Sequence, residues 1–385
     1  MKKNFKYLIT IILVIFSFNN IFAQNFVNES LAKIVGTNFI SNNTSKSQPD
    51  LKLVHTEIDG NNEADLYIYN INDSGFVIVS ASRNVKPILA YSFENNFNDD
   101  GLGHAEYFIN NYNRDIEYAK SLNIETDKYI SDLWNDLESN DIKDRAIAVV
   151  DPLIETRWNQ DCFYNEYAPY DNWGPCNRAY AGCVACAMSQ VMKYWNYPEK
   201  GKGSHTYVHH QYGSQSADFG ATTYKWDEMP NEIWNQNDAI ATLMYHCGVS
   251  VDMDYGADGS GAQSHDVEIA MRMYFGYSSA KYKERSDYSD EEWISLLKSE
   301  LDESRPMYFS GSGEAGGHAI VCDGYDNNDY FHFNMGWSGI GDGFYSIDDV
   351  NGFSNNEAVV MNIKPLPINA DEHNIIYVTS DGTGD

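Results

Sequence analysis

Basic residues are scarce in this chain, 26 Lys and Arg against 56 Asp and Glu for a formal net charge of −30, and in the mature region they are nowhere clustered. Phosphate backbones are held by clustered cations, so nucleic acid is excluded as a partner. Beyond the first two dozen residues no apolar run approaches the roughly 20 residues of a membrane-spanning helix, so no such helix is expected. Metal-ligand spacing is missing too: His209-His210, His246 and His265 form no His-Glu-x-x-His pattern, so neither a metal nor any other cofactor is expected. Cysteine is limited to six residues, and a chain of 385 with 43% apolar and 14% aromatic residues can build cores without covalent staples. Cys162 and Cys176 share a Tyr/Asn/Pro-rich loop where a bridge stays open, whereas Cys247 and Cys322 lie in apolar patterns and read as buried thiols. No internal repeat is present.

Residues 1–23 combine a basic start with the apolar run from Tyr7 to Phe18 and a small-residue site at Ala23, the pattern of an export signal. The mature protein is therefore expected outside the cytoplasm, secreted or periplasmic, and soluble. Residues 24–145 form a first unit with two β-rich runs, Asp65 to Ile71 and Gly75 to Ser80, followed by helical periodicity from His104 to Leu122. Nothing in it suggests catalysis. The polar stretch Glu138 to Arg145 reads as an exposed linker open to cleavage. In the second unit, 146–367, helices at Cys183–Tyr194, Asp238–Cys247 and after the capping box Ser289-Asp290-Glu291-Glu292 precede five strands, Met307–Ser310, His318–Cys322, Tyr330–Asn334, Gly343–Ile347 and Ala358–Ile363. Helices followed by strands predict an α+β fold in which a helix faces a sheet. Residues 368–385 read as a linker-like tail.

The chemistry gathers around Cys183 and His318. Cys183 opens an apolar helical stretch directly after Gly182; a helix N-terminus and an imidazolium stabilise a thiolate, and the N–H groups there can receive a tetrahedral oxyanion. His318 heads a strand after Gly316-Gly317, and 135 residues separate the two, within the roughly 130–150 of papain-type peptidases. Asn334 ends the next strand and offers an oxygen to fix the imidazole tautomer, with Trp337 to shield that bond; Gln160 offers a second oxyanion donor. Each also has a plainer reading, as a core thiol, a structural histidine, a turn with a buried tryptophan and a surface glutamine. Cys183-Val184-Ala185-Cys186 matches the redox C-x-x-C pattern, but an irregular loop precedes it where a thioredoxin-like unit has a strand. Asp252 to Asp258 lacks the glycine and glutamate of a calcium loop. A Cys–His acyltransferase and a disulfide-stabilised binding protein remain the alternatives to a peptidase.

Trp158-Asn159-Gln160, Gly182-Cys183-Val184-Ala185, Gln190 to Tyr194, Asn196-Tyr197-Pro198, Ser250 to Gly256, Gly316-Gly317-His318-Ala319 and Asp342-Gly343-Phe344, in this order, resemble the streptopain-type cysteine peptidases. The resemblance spans the whole second unit, and the first unit, with Gly75 to Ser80, resembles that family's propeptide. It implies a papain-like peptidase domain preceded by a small α+β propeptide that inhibits it intramolecularly and is removed autocatalytically. It further implies protein substrates with an apolar residue two positions before the scissile bond. By the same resemblance Cys183 is the nucleophile, His318 the base, Asn334 its orienting residue and Gln160 the oxyanion glutamine. Gly261 and Gly317 stand at substrate-contacting positions, with Trp337 beside them. Met335 stands where streptopain has tryptophan, and Gly261 replaces a serine, so only a backbone contact carries over there.

Overall fold

The computed structural model describes residues 25–44, 49–72, 74–97, 105–121, 126–141, 146–313, 316–347 and 356–365. The expected export signal, residues 142–145 of the linker and the tail 368–385 lie outside them. Helix α1 (Glu29–Asn43) precedes strands β1 (Leu51–Ile58), β2 (Ala64–Ile71), β3 (Phe76–Ser80) and β4 (Ile88–Ser92), then α2 (Glu106–Ser121), α3 (Lys128–Ser139) and β5 (Ala148–Val150). The second unit opens with β5 and continues with α4 (Cys183–Trp195), β6 (Ser204–His209), β7 (Gly213–Asp218), α5 (Asp238–Ser250), α6 (Ser264–Met273), β8 (Lys281–Glu284), α7 (Asp290–Leu301), β9 (Met307–Gly313), β10 (Gly316–Asp326), β11 (Tyr330–Asn334), β12 (Gly343–Ser346) and β13 (Ala358–Met361). Among the described residues no helix is long and apolar enough to cross a membrane.

Local chemistry explains the main boundaries. Asn196, left-handed at φ 46°, closes α4 two residues before Pro198. Ser289 and Glu292 form the reciprocal capping box that starts α7: Glu292 N–H donates to Ser289 Oγ at 3.3 Å and Ser289 N–H to Glu292 Oε2 at 2.9 Å. In β2 the alternation of Leu66 and Ile68 with Tyr67 and Tyr69 assigns one set to each face, as the period of two requires.

Both units share one antiparallel sheet, ordered β1-β2-β3-β4-β12-β11-β10-β9-β13-β8, with β5 on β10 and a separate β6–β7 hairpin. The seam is β4 against β12, where Tyr91 pairs with Phe344 and Ala90 with Tyr345. Three cores follow. Helices α4, α5 and α6 pack on the face carrying Tyr308, Ala319, Val321 and Val360. Helices α2 and α7 cover the opposite face through Phe309, Ile320 and Phe333, while α1 and α3 pack against Tyr69, Val77 and Val79. Phe108 of α2 lies 4.4 Å from the Tyr345 ring and 4.9 Å from Phe333, so the first unit contributes to a core of the second. A buried phenylalanine of this kind stabilises by about 1.5–3 kcal/mol.

Candidate active site

Cys183 is the first residue of α4, and its N-cap is Gly182, held at φ 94°. A Cβ there would stand 2.8 Å from Met253 Sδ and Cε, the movable end of a flexible side chain, so it is the backbone angle that demands glycine. Glycine supplies no capping side chain, which leaves the first-turn N–H groups available to the sulfur and the cleft. Burial pushes the Cys183 thiol above its ordinary value; the N–H groups of Ala319, Val184 and Cys183 itself act in the opposite sense. Cys183, Cys186, Cys247 and Cys322 carry free thiols, and Cys162 is bonded to Cys176 across a Cα separation of 5.4 Å. The loop bridge left open by the sequence is therefore formed, and Cys247 and Cys322 are buried thiols as expected.

His318 lies on β10, opposite Gly311 of β9, and shares with Cys183 an open cleft of about 1000 Å³. The loop after α5 and the first turn of α6 form another wall, with Asp252, Asp254, Asp258 and Asp266 on it. Gly261 and Gly317 line the same cleft, and Gly261 exchanges backbone hydrogen bonds with Asp254 at 2.8 and 3.2 Å. Trp337 stands edge-on to Tyr180, ring centroids 6.1 Å apart, just ahead of the Cys183 helix.

Gln160 is buried beside the nucleophile's approach: its carbonyl accepts Ala181 N–H at 2.8 Å and its Nε2 donates weakly to Gly336 O at 3.4 Å. Asn334 departs from expectation. It pairs with Val321, three residues beyond His318 along β10, a displacement of about 10 Å at the rise of a strand. Both acceptor positions of its Oδ1 are taken, by Gln190 Nε2 at 2.9 Å and Gly336 N–H at 3.0 Å, and its Nδ2 donates to Thr156 O at 2.7 Å. The structure thus brings Cys183, His318, Gly261 and Gly317 into one cleft, holds Gln160 against Ala181 and Gly336, and ties Asn334 to the nucleophile helix through Gln190.

Several further polar groups were given no role from sequence. Gln190 and Thr156 complete the network around Asn334. Tyr107 of α2 lies on Gly311, where a Cβ would come within 2.2 Å of its ring, and donates its hydroxyl to Glu357 Oε1 at 2.8 Å; Arg285 holds the other Glu357 oxygen at 2.7 Å. His332 and Asp323 form a buried pair at 2.6 Å, with the Asp323 charge holding the imidazole above its ordinary value against the effect of burial. Burial lifts the Asp342 carboxyl to about 7, although Met335 N–H donates to it at 2.7 Å. His209, His210 and Asp254 bring their ligand atoms within 4.8 Å of one another. His209 Nδ1 accepts the N–H groups of Gln211 and Tyr212 at 3.1 Å, however, which puts the ring proton on the Nε2 that lies 2.9 Å from Asp254.

Residues 158–345 match the peptidase C10 family and residues 24–116 the Spi protease inhibitor family. The chain is 32% identical to streptopain of Streptococcus pyogenes over 90% of this chain and 94% of that protein. It is 31% identical to the thiol protease/hemagglutinin PrtT of Porphyromonas gingivalis over 79% of this chain and 37% of the other. Among solved structures, Prevotella intermedia prointerpain A matches with a TM-score of 0.69 at 29% identity, covering 83% of this chain and all of that one. Active interpain A from the same organism matches with a TM-score of 0.51 at 38% identity, over 56% of this chain and 95% of its own. Sheet seam, cleft and relatives agree: the chain belongs to the peptidase C10 family and is a streptopain-like cysteine peptidase zymogen carrying its own Spi-type inhibitory propeptide.

Proposed function

We propose that Cys183 is the nucleophile and His318 the general base of a peptide-bond hydrolysis running through a thioester. One observation carries this: Cys183 heads α4 in the same cleft as His318, with backbone N–H groups of the helix start and of Ala319 directed at its sulfur. The thiol proton passes to His318, and the thiolate forms a bond to the substrate carbonyl carbon. Gln160 Nε2 and the Cys183 N–H receive the oxyanion. Collapse breaks the C–N bond as His318 returns the proton to the leaving amine. Water, deprotonated by His318, then cleaves the thioester and restores the thiol. Gln160 has only its weak bond to Gly336 O to give up for this role. Asn334 enters as part of the frame around the site, because its oxygen is committed away from the imidazole.

The substrates proposed are proteins, with an apolar residue two positions before the scissile bond placed near the buried Met253 and Tyr255 and backbone contacts at Gly261 and Gly317. Trp337 would shield the site from water. Residues 1–23 would direct export, and the N-terminal unit, 24–145, would hold the 146–367 unit inactive until the same activity cuts the polar linker between them. Incubating the purified precursor with and without an epoxysuccinyl inhibitor, followed by N-terminal sequencing, tests this reading. The parent should release a product beginning within or near residues 138–146, and Cys183→Ser should stay full length. A Cys183→Ser precursor that matures by itself and cleaves casein would sink the assignment.

A further inference from the structure

Gln190 lies two helical turns beyond Cys183 on α4 and is fully buried. A primary amide in a core is costly unless its donors and acceptors are met, so its partners show what it is for. Its Nε2 donates to Asn334 Oδ1 at 2.9 Å, and its Oε1 accepts Thr156 Oγ1 at 2.8 Å and the Trp158 N–H at 3.4 Å. Backbone groups fix which way both amides face. Asn334 must turn its oxygen to the Gly336 N–H and its nitrogen to Thr156 O, and Gln190 must turn its oxygen to the Trp158 N–H.

Each of these partners leads to a different part of the catalytic apparatus. Helix α4 carries Cys183. The segment from Thr156 to Gln160 carries the proposed oxyanion donor, and its Gln160 carbonyl holds Ala181 N–H just before the nucleophile. Asn334 ends β11, whose neighbour β10 carries His318, and its oxygen also holds Gly336, the residue that Gln160 Nε2 touches. We propose that Gln190 is a positioning residue: its amide locks nucleophile helix, oxyanion segment and histidine-bearing sheet into one register. Buried hydrogen-bond networks restrict the groups they join, and reacting groups held within a fraction of an ångström are what proximity catalysis requires. The inference rests on Cys183 and His318 having the roles proposed above.

Mature Gln190→Met, which keeps length and apolar volume but makes none of the three bonds, should lower kcat by about 10- to 100-fold while KM stays within about threefold. The acid limb of its kcat/KM profile should move, because the imidazole and thiol no longer sit at their parental separation. Thr156→Val should show a smaller loss of the same kind, and the double variant should be no worse than Gln190→Met alone, since both act through one amide. Should Gln190→Met fail to fold, Thr156→Val and Gln190→Glu carry the test; the latter keeps the acceptor for Thr156 and loses the donor to Asn334. A folded variant with parental kcat and pH limbs overturns the proposal, as does a loss that only follows the melting temperature. Cys183→Ala run alongside separates the two readings. If it retains activity the nucleophile assignment fails; if it is dead while Gln190→Met is unchanged, only Gln190 fails.

Discussion

Tyr91→Phe is the sharpest perturbation of the seam between propeptide and peptidase. Tyr91 sits on β4, its ring stacked on Phe344 of β12 at 5.2 Å and 10°, and its hydroxyl donates to Asp326 Oδ2 of β10 at 2.7 Å. Asp326 is fully buried, and burial holds its carboxyl above the ordinary range although Tyr330 and Asn328 N–H groups donate to the other oxygen at 2.9 and 2.8 Å. Phenylalanine keeps the stacking and deletes one donor, leaving Oδ2 a buried acceptor without its phenol. Such a loss costs about 1–3 kcal/mol, a factor of about 5 to 150 in the population of precursors whose first unit has lifted off. If lifting precedes linker cleavage in rapid equilibrium, the Tyr91→Phe precursor should mature faster by that factor in a timed gel or mass assay at pH 8. In a Cys183→Ala background, where no processing intervenes, the same change should lower the melting temperature. A variant that matures at the parental rate and melts with the parent would refute the idea that this bond helps hold the zymogen closed.

Gly182→Ala places a Cβ at φ 94° and 2.8 Å from the Met253 sulfur, so a loss of about 1–3 kcal/mol in stability and a clear fall in kcat are expected from calorimetry and peptide hydrolysis. Asp342, lifted from an ordinary 3.8 to about 7 by burial, keeps a proton in the fold that the unfolded chain releases between pH 4 and 7. Its contribution to stability is therefore present below pH 4 and lost as pH rises towards 7. Asp342→Asn keeps an acceptor for the Met335 N–H and should gain on the parent across that window by up to about 4 kcal/mol, read as the difference in melting temperature at pH 4 and pH 8.

Periodicity and caps made a good part of the fold legible. The β-rich runs of β2 and β3, the apolar helix from Cys183 and the box at Ser289 each depend on neighbours close in sequence, and they appear where expected. Helix α1 was missed because its stripe is diluted by Asn, Ser and Thr, α3, although amphipathic, because it runs into the polar stretch from Glu138 that reads as linker, and the β6–β7 hairpin because its strands alternate around His, Gln and Ser. Joining β4 to β12 is a pairing across some 250 residues, which no local pattern encodes. Asn334 ends the expected strand, and the β10–β11 connection, which no local pattern fixes, pairs it with Val321. Gln190 lay in a recognised motif, yet its role shows only once Thr156 and Asn334, distant in sequence, meet it in the core.

The pH dependence of Cys183 alkylation by iodoacetamide, followed by mass in precursor and mature enzyme with and without His318→Ala, tests the proposed dyad most directly. Burial raises the thiol in the precursor, so reactive thiolate should appear there only at alkaline pH. In the mature enzyme a reactive plateau should extend well below pH 8, and His318→Ala should abolish it. A mature profile that coincides with the precursor's, or that His318→Ala leaves in place, would contradict the assignment of Cys183 and His318 as nucleophile and base.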